Sequence, residues 1–176
     1  GVKGTQTVCF SPQSEVPRNR DVTYATFVCD VKPLKKETRR VRITVGGDRL
    51  TCLDDTGSPT ANLLETKIMI NSTISDAERN ARMMCMDITN YFLASPMKRS
   101  EYMKVRVKYL PSDIQERYNI ADIVTPDGFV YVRIDKGMYG LKNAAVLAYD
   151  NLKVQLGGKP YFVSFVNFYQ HLSFLS

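Results

Sequence analysis

The stretch Arg40-Val41-Arg42-Ile43-Thr44-Val45 alternates strictly between polar and apolar side chains and runs straight into Gly46-Gly47-Asp48. Period-two alternation puts Val41, Ile43 and Val45 on one face of a strand and Arg40, Arg42 and Thr44 on the other. The segment therefore reads as a half-buried strand with a basic outer face, ended by turn chemistry. Such a strand needs a neighbour to pair with and a core to cover its apolar side. The flanks raise the charge further, because Lys32, Lys35, Lys36, Arg39 and Arg49 join Arg40 and Arg42 against only Glu37 and Asp48. The chain of 176 residues carries a formal charge of +6. An excess gathered into one block favours a polyanionic partner more than the same charge spread evenly.

A second alternation runs from Tyr102 to Tyr109, with Met103, Val105 and Val107 on one side and Lys104, Arg106 and Lys108 on the other. Val22 to Val31 and Phe129 to Ile134 read as further strands, the latter after the turn Pro126-Asp127-Gly128. The rest of residues 1–34, broken by Pro12, Pro17 and Pro33, reads as irregular. Met83-Met84-Cys85-Met86-Asp87 reads as a short buried strand ending in a carboxylate. Residues 51–59 read as a loop, with Ser58 capping and Pro59 opening a helix whose stripe is Leu63, Leu64, Ile68, Ile70 and Ile74. Ser112-Asp113-Ile114-Gln115 reads as a capping box for a short helix. Ala144 to Leu156 reads as a helix that buries Val146, Leu147, Tyr149, Leu152 and Leu156 and stops at Gly157-Gly158. Strands and helices in this irregular order imply an α+β fold, an antiparallel sheet with packed helices.

Composition narrows the class. With 44% hydrophobic and 24% charged residues the chain is globular rather than disordered. Cys9, Cys29, Cys52 and Cys85 are scattered without a C-x-x-C pair and His171 is the only histidine, which argues against zinc and for reduced thiols in an intracellular protein. No apolar run is long enough for a membrane span, the uncharged aromatic stretch 161–176 included. Gly1 in place of a methionine fits a processed or excised piece.

The order of these pieces resembles the reverse transcriptase of copia-type long-terminal-repeat retrotransposons. The basic strand Arg40-Val41-Arg42-Ile43 precedes a helix. Met84-Cys85-Met86-Asp87-Ile88-Thr89-Asn90-Tyr91-Phe92-Leu93 and the strand Glu101-Tyr102-Met103 follow. Lys136-Gly137-Met138-Tyr139-Gly140-Leu141-Lys142 then leads into a small-residue helix start. The likeness covers roughly residues 20–156.

The resemblance implies the fingers and partial palm of a right-hand polymerase over 21–156, preceded by an irregular extension (1–20) and followed by an aromatic-rich tail (157–176). It implies RNA-templated DNA synthesis by two-metal nucleotidyl transfer in the intact enzyme. Asp87 would then be catalytic and bind Mg²⁺ or Mn²⁺, hard cations that take carboxylate oxygens. Phe92, or Tyr91 beside it, would lie beneath the incoming sugar and reject a 2′-hydroxyl. Arg42 and Lys36, the latter not separable from Lys35, would hold the triphosphate. Tyr139 and Gly140 would pack beneath the nucleotide, and Arg40 and Lys142 would face template and primer. One departure is Ala145, where the family commonly has proline.

The partners implied are an RNA or DNA template-primer, deoxynucleoside triphosphates, and the thumb and ribonuclease H parts of a polyprotein. The location implied is a cytoplasmic virus-like particle or the nucleus. In the family a Tyr-x-Asp-Asp hairpin follows the Gly140 helix. These 176 residues contain no such motif, and no aspartate follows Leu156. Asp54-Asp55 precede Asp87 and read as a solvated turn. The expectation is therefore a fragment that is inactive by itself.

Each of these residues also has an ordinary reading. Asp87 caps a turn, Phe92 fills a core, Arg42 is a solvated strand residue, and Gly140 serves a strand-to-helix turn. Two other classes remain open. One is a non-catalytic nucleic-acid-binding remnant using Arg40, Arg42, Lys104, Arg106 and Lys108; the other is a partly folded relic without function.

Overall fold

The computed structural model describes residues 4–34, 38–52, 56–57, 62–84, 88–157, 161–163 and 172–174. The chain divides into two compact units, one made of residues 1–56 and 90–148, the other of 57–89 and 149–176. The class is α+β.

The first unit is a five-stranded sheet in the order β1-β5-β4-β2-β3. Its strands are β1 (Val8–Ser11), β2 (Val22–Val31), β3 (Arg39–Val45), β4 (Pro96–Arg106) and β5 (Phe129–Lys136). The expected strands at 22–31 and 40–45 are present. β1 lies in the stretch that reads as irregular, and pairs with β5 from Val8↔Ile134 to Ser11↔Tyr131. Four of its residues suffice because they extend an existing sheet. The sheet is also not purely antiparallel, since β2 runs parallel to β4 through Val22↔Tyr102, Thr23↔Met103 and Tyr24↔Lys104.

Register explains the core. Met103↔Val132 and Val105↔Val130 put four apolar side chains on one face, all buried, with Ile134 beyond them. Leu110, Ile120, Leu50, Met138, Leu141 and Ala144 close over that face. Removing a Val or Ile side chain from water contributes about 1.5–3 kcal/mol, so this one-sided core is the main source of cohesion. Glu101, opposite Ile134, shares the apolar face and is matched by Arg20 at 3.0 Å. The second alternation ends early, because β4 stops at Arg106 and Val107–Tyr109 form a 3-10 turn, taking Lys108 off the strand.

α2 (Ser112–Arg117) forms without the expected capping box. Pro111 takes the cap position, and the Gln115 side chain instead donates to the Leu110 carbonyl at 2.7 Å. α3 (Ala144–Gly157) forms as expected, but Ala144 and Ala148 are its buried residues; Val146, Leu147, Tyr149, Leu152 and Leu156 are half-buried.

In the second unit α1 (Leu63–Ser75) is capped by Asn62; Ser58 and Pro59, read as the helix start, lie outside the described residues. The Asn62 side chain accepts the Glu65 N–H at 2.8 Å, and the Glu65 carboxylate accepts the Asn62 N–H in return. The reciprocal box satisfies two backbone donors at the start of the helix. The stripe Leu63, Leu64, Ile68, Ile70 and Ile74 is exposed, not buried. Met83 and Met84 are likewise exposed and outside any strand, contrary to the reading for those two residues, while Cys85 to Asp87 lie outside the described residues. β6 (Tyr161–Val163) and β7 (Leu172–Phe174) pair antiparallel. Among the described residues no helix is long and apolar enough to cross a membrane.

Candidate functional site

β3 is the edge strand of the sheet, and the segment after β5 is seated against its end. The Val45 N–H donates to the Tyr139 carbonyl at 2.8 Å. Gly140 follows with φ +98°, and a Cβ there would strike the Val45 carbonyl oxygen. Gly47, in the 3-10 turn Gly47–Arg49, approaches from the other side, and a Cβ on it would strike the Gly140 carbonyl oxygen. Two backbones thus interlock at a distance only glycines allow. The buried side chains of Val45, Leu50 and Leu141 lie around the joint, and the Lys142 ammonium donates to the Leu50 carbonyl at 3.2 Å. Asp21 braces the next residue, accepting the Thr51 N–H at 3.3 Å.

The interlock presents one cluster of side chains. The Arg42 guanidinium carbon lies 5.8 Å from the Tyr139 ring centre, within cation–π range. Tyr139 meets Phe92 edge-to-face, with centroids 5.1 Å apart and planes at 82°. Phe92 is held by the 3-10 turn Phe92–Ala94, where Gly137 packs so closely that a Cβ would come within 2.7 Å of the Phe92 carbonyl. The Gly137 N–H donates to Ser95 at 2.7 Å. Tyr91 stands beside Phe92 with centroids 5.9 Å apart. Tyr139 is 37% exposed, so the cluster opens to solvent. The Arg42 Nε is buried and has no hydrogen-bond partner among the described residues. Leaving a buried donor unpaired costs about 1–3 kcal/mol, which an incoming oxygen would recover.

Arg42, Phe92, Tyr139 and Gly140 are therefore brought together. Lys142 spends its ammonium on the Leu50 carbonyl inside the joint. Arg40 is exposed on β3, on the same side as Arg42 and opposite Asp30 in register. Asp87, Lys36, Asp54 and Asp55 lie outside the described residues. Asp135 is engaged by the Arg133 guanidinium at 2.9 Å and the Ser100 hydroxyl at 2.7 Å. Across the sheet Lys104 and Arg106 both lie over the Phe129 ring, at 4.8 and 4.7 Å, while Lys108 lies over Tyr109.

Sequence reasoning missed Gly47 and Gly137. The doubled glycine at 46–47 was the available signal, since a turn alone needs only one. Near the joint the Tyr24 hydroxyl donates to Asp48 at 2.9 Å, and that hydrogen bond raises its pKa above the ordinary phenol value. Comparison of the chain with protein-family models, with curated proteins and with solved structures finds no match.

Proposed function

We propose that the first unit is the nucleotide-holding part of an RNA-directed DNA polymerase of the copia retrotransposon type, its fingers and upper palm. The observation that carries this reading is the meeting of Arg42, Phe92 and Tyr139, three residues singled out from separate stretches, at one glycine joint. A guanidinium offers a planar fork to phosphate oxygens, and Arg42 has an unpaired Nε to give. The two rings make an apolar floor beside it, on which a sugar and base can rest. A ring edge close to C2′ leaves no room for a hydroxyl, and that exclusion selects deoxynucleotides.

The resemblance assigns Mg²⁺ or Mn²⁺ to Asp87, which lies outside the described residues. Among the described residues no three His, Cys, Asp or Glu side chains gather to hold a metal ion. The described residues do not make a two-metal centre, and no chemical step is derived through one. The chain's own part is to bind, orient and select the nucleotide. Template-primer, the rest of a polyprotein and an intracellular site of action belong to the same proposal.

The test is equilibrium binding of dGTP and GTP by titration calorimetry to the wild-type chain and to Arg42→Ala and Phe92→Ala. Wild type is expected to bind dGTP more tightly than GTP. Arg42→Ala weakens dGTP about tenfold or more, the scale of one charge-assisted hydrogen bond. Phe92→Ala closes the gap between the two nucleotides. Equal dGTP binding by wild type and Arg42→Ala refutes the assignment.

A second reading, a non-catalytic nucleic-acid surface, is favoured by Lys104 and Arg106 over Phe129. It predicts oligonucleotide binding that weakens steeply with salt and survives Arg42→Ala.

A further inference from the structure

The direction of each backbone group in β3 follows from the hydrogen bonds at its ends. The Gly46 N–H donates to Tyr24 and the Lys32 N–H to Thr38, so even-numbered residues are the bonded partners of the β2–β3 pair. In an antiparallel ladder the intervening residues turn their N–H and C=O away. Arg39, Val41, Ile43 and Val45 therefore aim outward, along the free edge of the sheet. The bond from Val45 to Tyr139 confirms the parity. It is also the only rung on that edge among the described residues, which leaves Arg39, Val41 and Ile43 open.

Exposed edges are normally blunted by proline, a bulge or charge on both faces. β3 has no proline, and its register against β2 is unbroken from Val45 to Arg39. Arg40 and Arg42 charge one face; on the other Arg39 stands only at the strand's end, and Val41 and Ile43, 63% and 36% exposed, form an apolar stretch inside it. A second copy is a poor occupant, because it would set Arg39, Arg40 and Arg42 against an equally basic strand. A strand carrying carboxylates on one side and aliphatic groups on the other satisfies both faces at once. Such a carboxylate also gives the Arg42 Nε an acceptor.

We propose that the free edge of β3 is a β-augmentation site for an extended peptide with alternating acidic and aliphatic residues. The inference does not rest on the nucleotide reading. The two share Arg42, so the peptide and a nucleotide compete.

The experiment is amide exchange by NMR with a synthetic peptide of alternating Glu and Val, beside a Lys–Val peptide of equal length. The Val41 and Ile43 amides are expected to slow about tenfold or more on adding the Glu–Val peptide, while Arg40 and Arg42, already bonded to β2, stay unchanged. The Lys–Val peptide has no effect. Val41→Pro removes an outward donor without touching the β2 ladder, so it abolishes the response while the Val130 and Val132 amides remain protected. The proposal is overturned by the absence of protection at 41 and 43, by equal binding of the two peptides, or by sedimentation showing self-association lost in Val41→Pro. Nucleotide failing to bind while the peptide protects Val41 and Ile43 would remove the polymerase reading alone.

Discussion

Alanine at three glycines separates the two things a glycine supplies, freedom of φ and room for a neighbour. Gly128 has φ +77° and open space around its missing Cβ. Gly47 lies outside the left-handed region, but its Cβ would meet the Gly140 carbonyl. Gly140 has both burdens, φ +98° and a collision with the Val45 backbone. Placing an L-residue at positive φ costs about 1–2 kcal/mol. Forcing two backbones apart costs about 1–3 kcal/mol, and losing the Val45–Tyr139 bond adds about 1 kcal/mol. The expected order is therefore about 1–2 kcal/mol for Gly128→Ala, about 2–4 for Gly47→Ala and about 3–6 for Gly140→Ala. Domains hold about 5–15 kcal/mol in all, so the last variant stands near unfolding. The assay is urea denaturation followed by circular dichroism. With a slope of about 1–3 kcal/mol/M, Gly140→Ala lowers the midpoint by at least about 1 M, and more than Gly128→Ala does. The Gly47→Ala/Gly140→Ala double variant costs less than the sum, because the first displacement makes room for the second. If Gly140→Ala is no worse than Gly128→Ala, the joint is not a close backbone contact and the reasoning fails.

Glu101→Ala leaves the Arg20 guanidinium, whose side chain is 9% exposed against 13% for Glu101, with the Ser100 carbonyl but no countercharge at 3.0 Å, and is expected to cost about 2–4 kcal/mol by the same assay. Asp135→Ala breaks the more open pair with Arg133 and costs under about 1 kcal/mol; equal losses would contradict this ranking. Asp21 is held below the ordinary carboxylate range by hydrogen bonds from Thr51. Its contribution is present above the unfolded pKa and lost as pH falls through the lowered folded one, so Asp21→Asn flattens the acid side of the stability curve and leaves the neutral side parallel to wild type. The 176-residue chain is expected to extend no primer with Mg²⁺ or Mn²⁺, having no Tyr-x-Asp-Asp; template-dependent incorporation that vanishes in Asp87→Ala would show otherwise.

Periodicity was a good guide wherever a strand had only one choice of face. β3 stands where alternation and Gly46-Gly47 put it, β2 where its apolar stretch did, and Met103 and Val105 share one face as read, which proves to be the buried one. It failed where local chemistry decides. The start of α1 is set by Asn62, whose box with Glu65 was not read from the sequence. β1 carries too few residues to announce itself, and exists because β5 gives it a bonded edge. The apolar faces of α1 and Met83-Met84 show the opposite limit, since a stripe says which side is greasy and not whether anything covers it. The candidate cluster was legible as a set of residue types. The joint that assembles it was not, because what two glycines leave out has no side chain to read.

Burial along β3 links these points to function. Val45 is 4% exposed, Ile43 36% and Val41 63%, although all three lie on the face that alternation assigns to the core. Side follows from sequence, but depth follows from how far the core extends, and here it ends beneath Val45, where Leu50 and Leu141 close it. The strand therefore leaves the globule as it runs back toward Arg39. Arg42 sits three residues out from Val45, close enough for its guanidinium to lie 5.8 Å from the Tyr139 ring centre. A longer core would bury Ile43 and Val41 and cover that side of the edge. A shorter one would release Val45, and with it the only backbone bond joining the strand to Tyr139 among the described residues. The glycines at 47 and 140 reconcile the two demands. By letting the backbones touch, they fix one end of the outer edge of β3, while pairing with β2 holds the strand along its length.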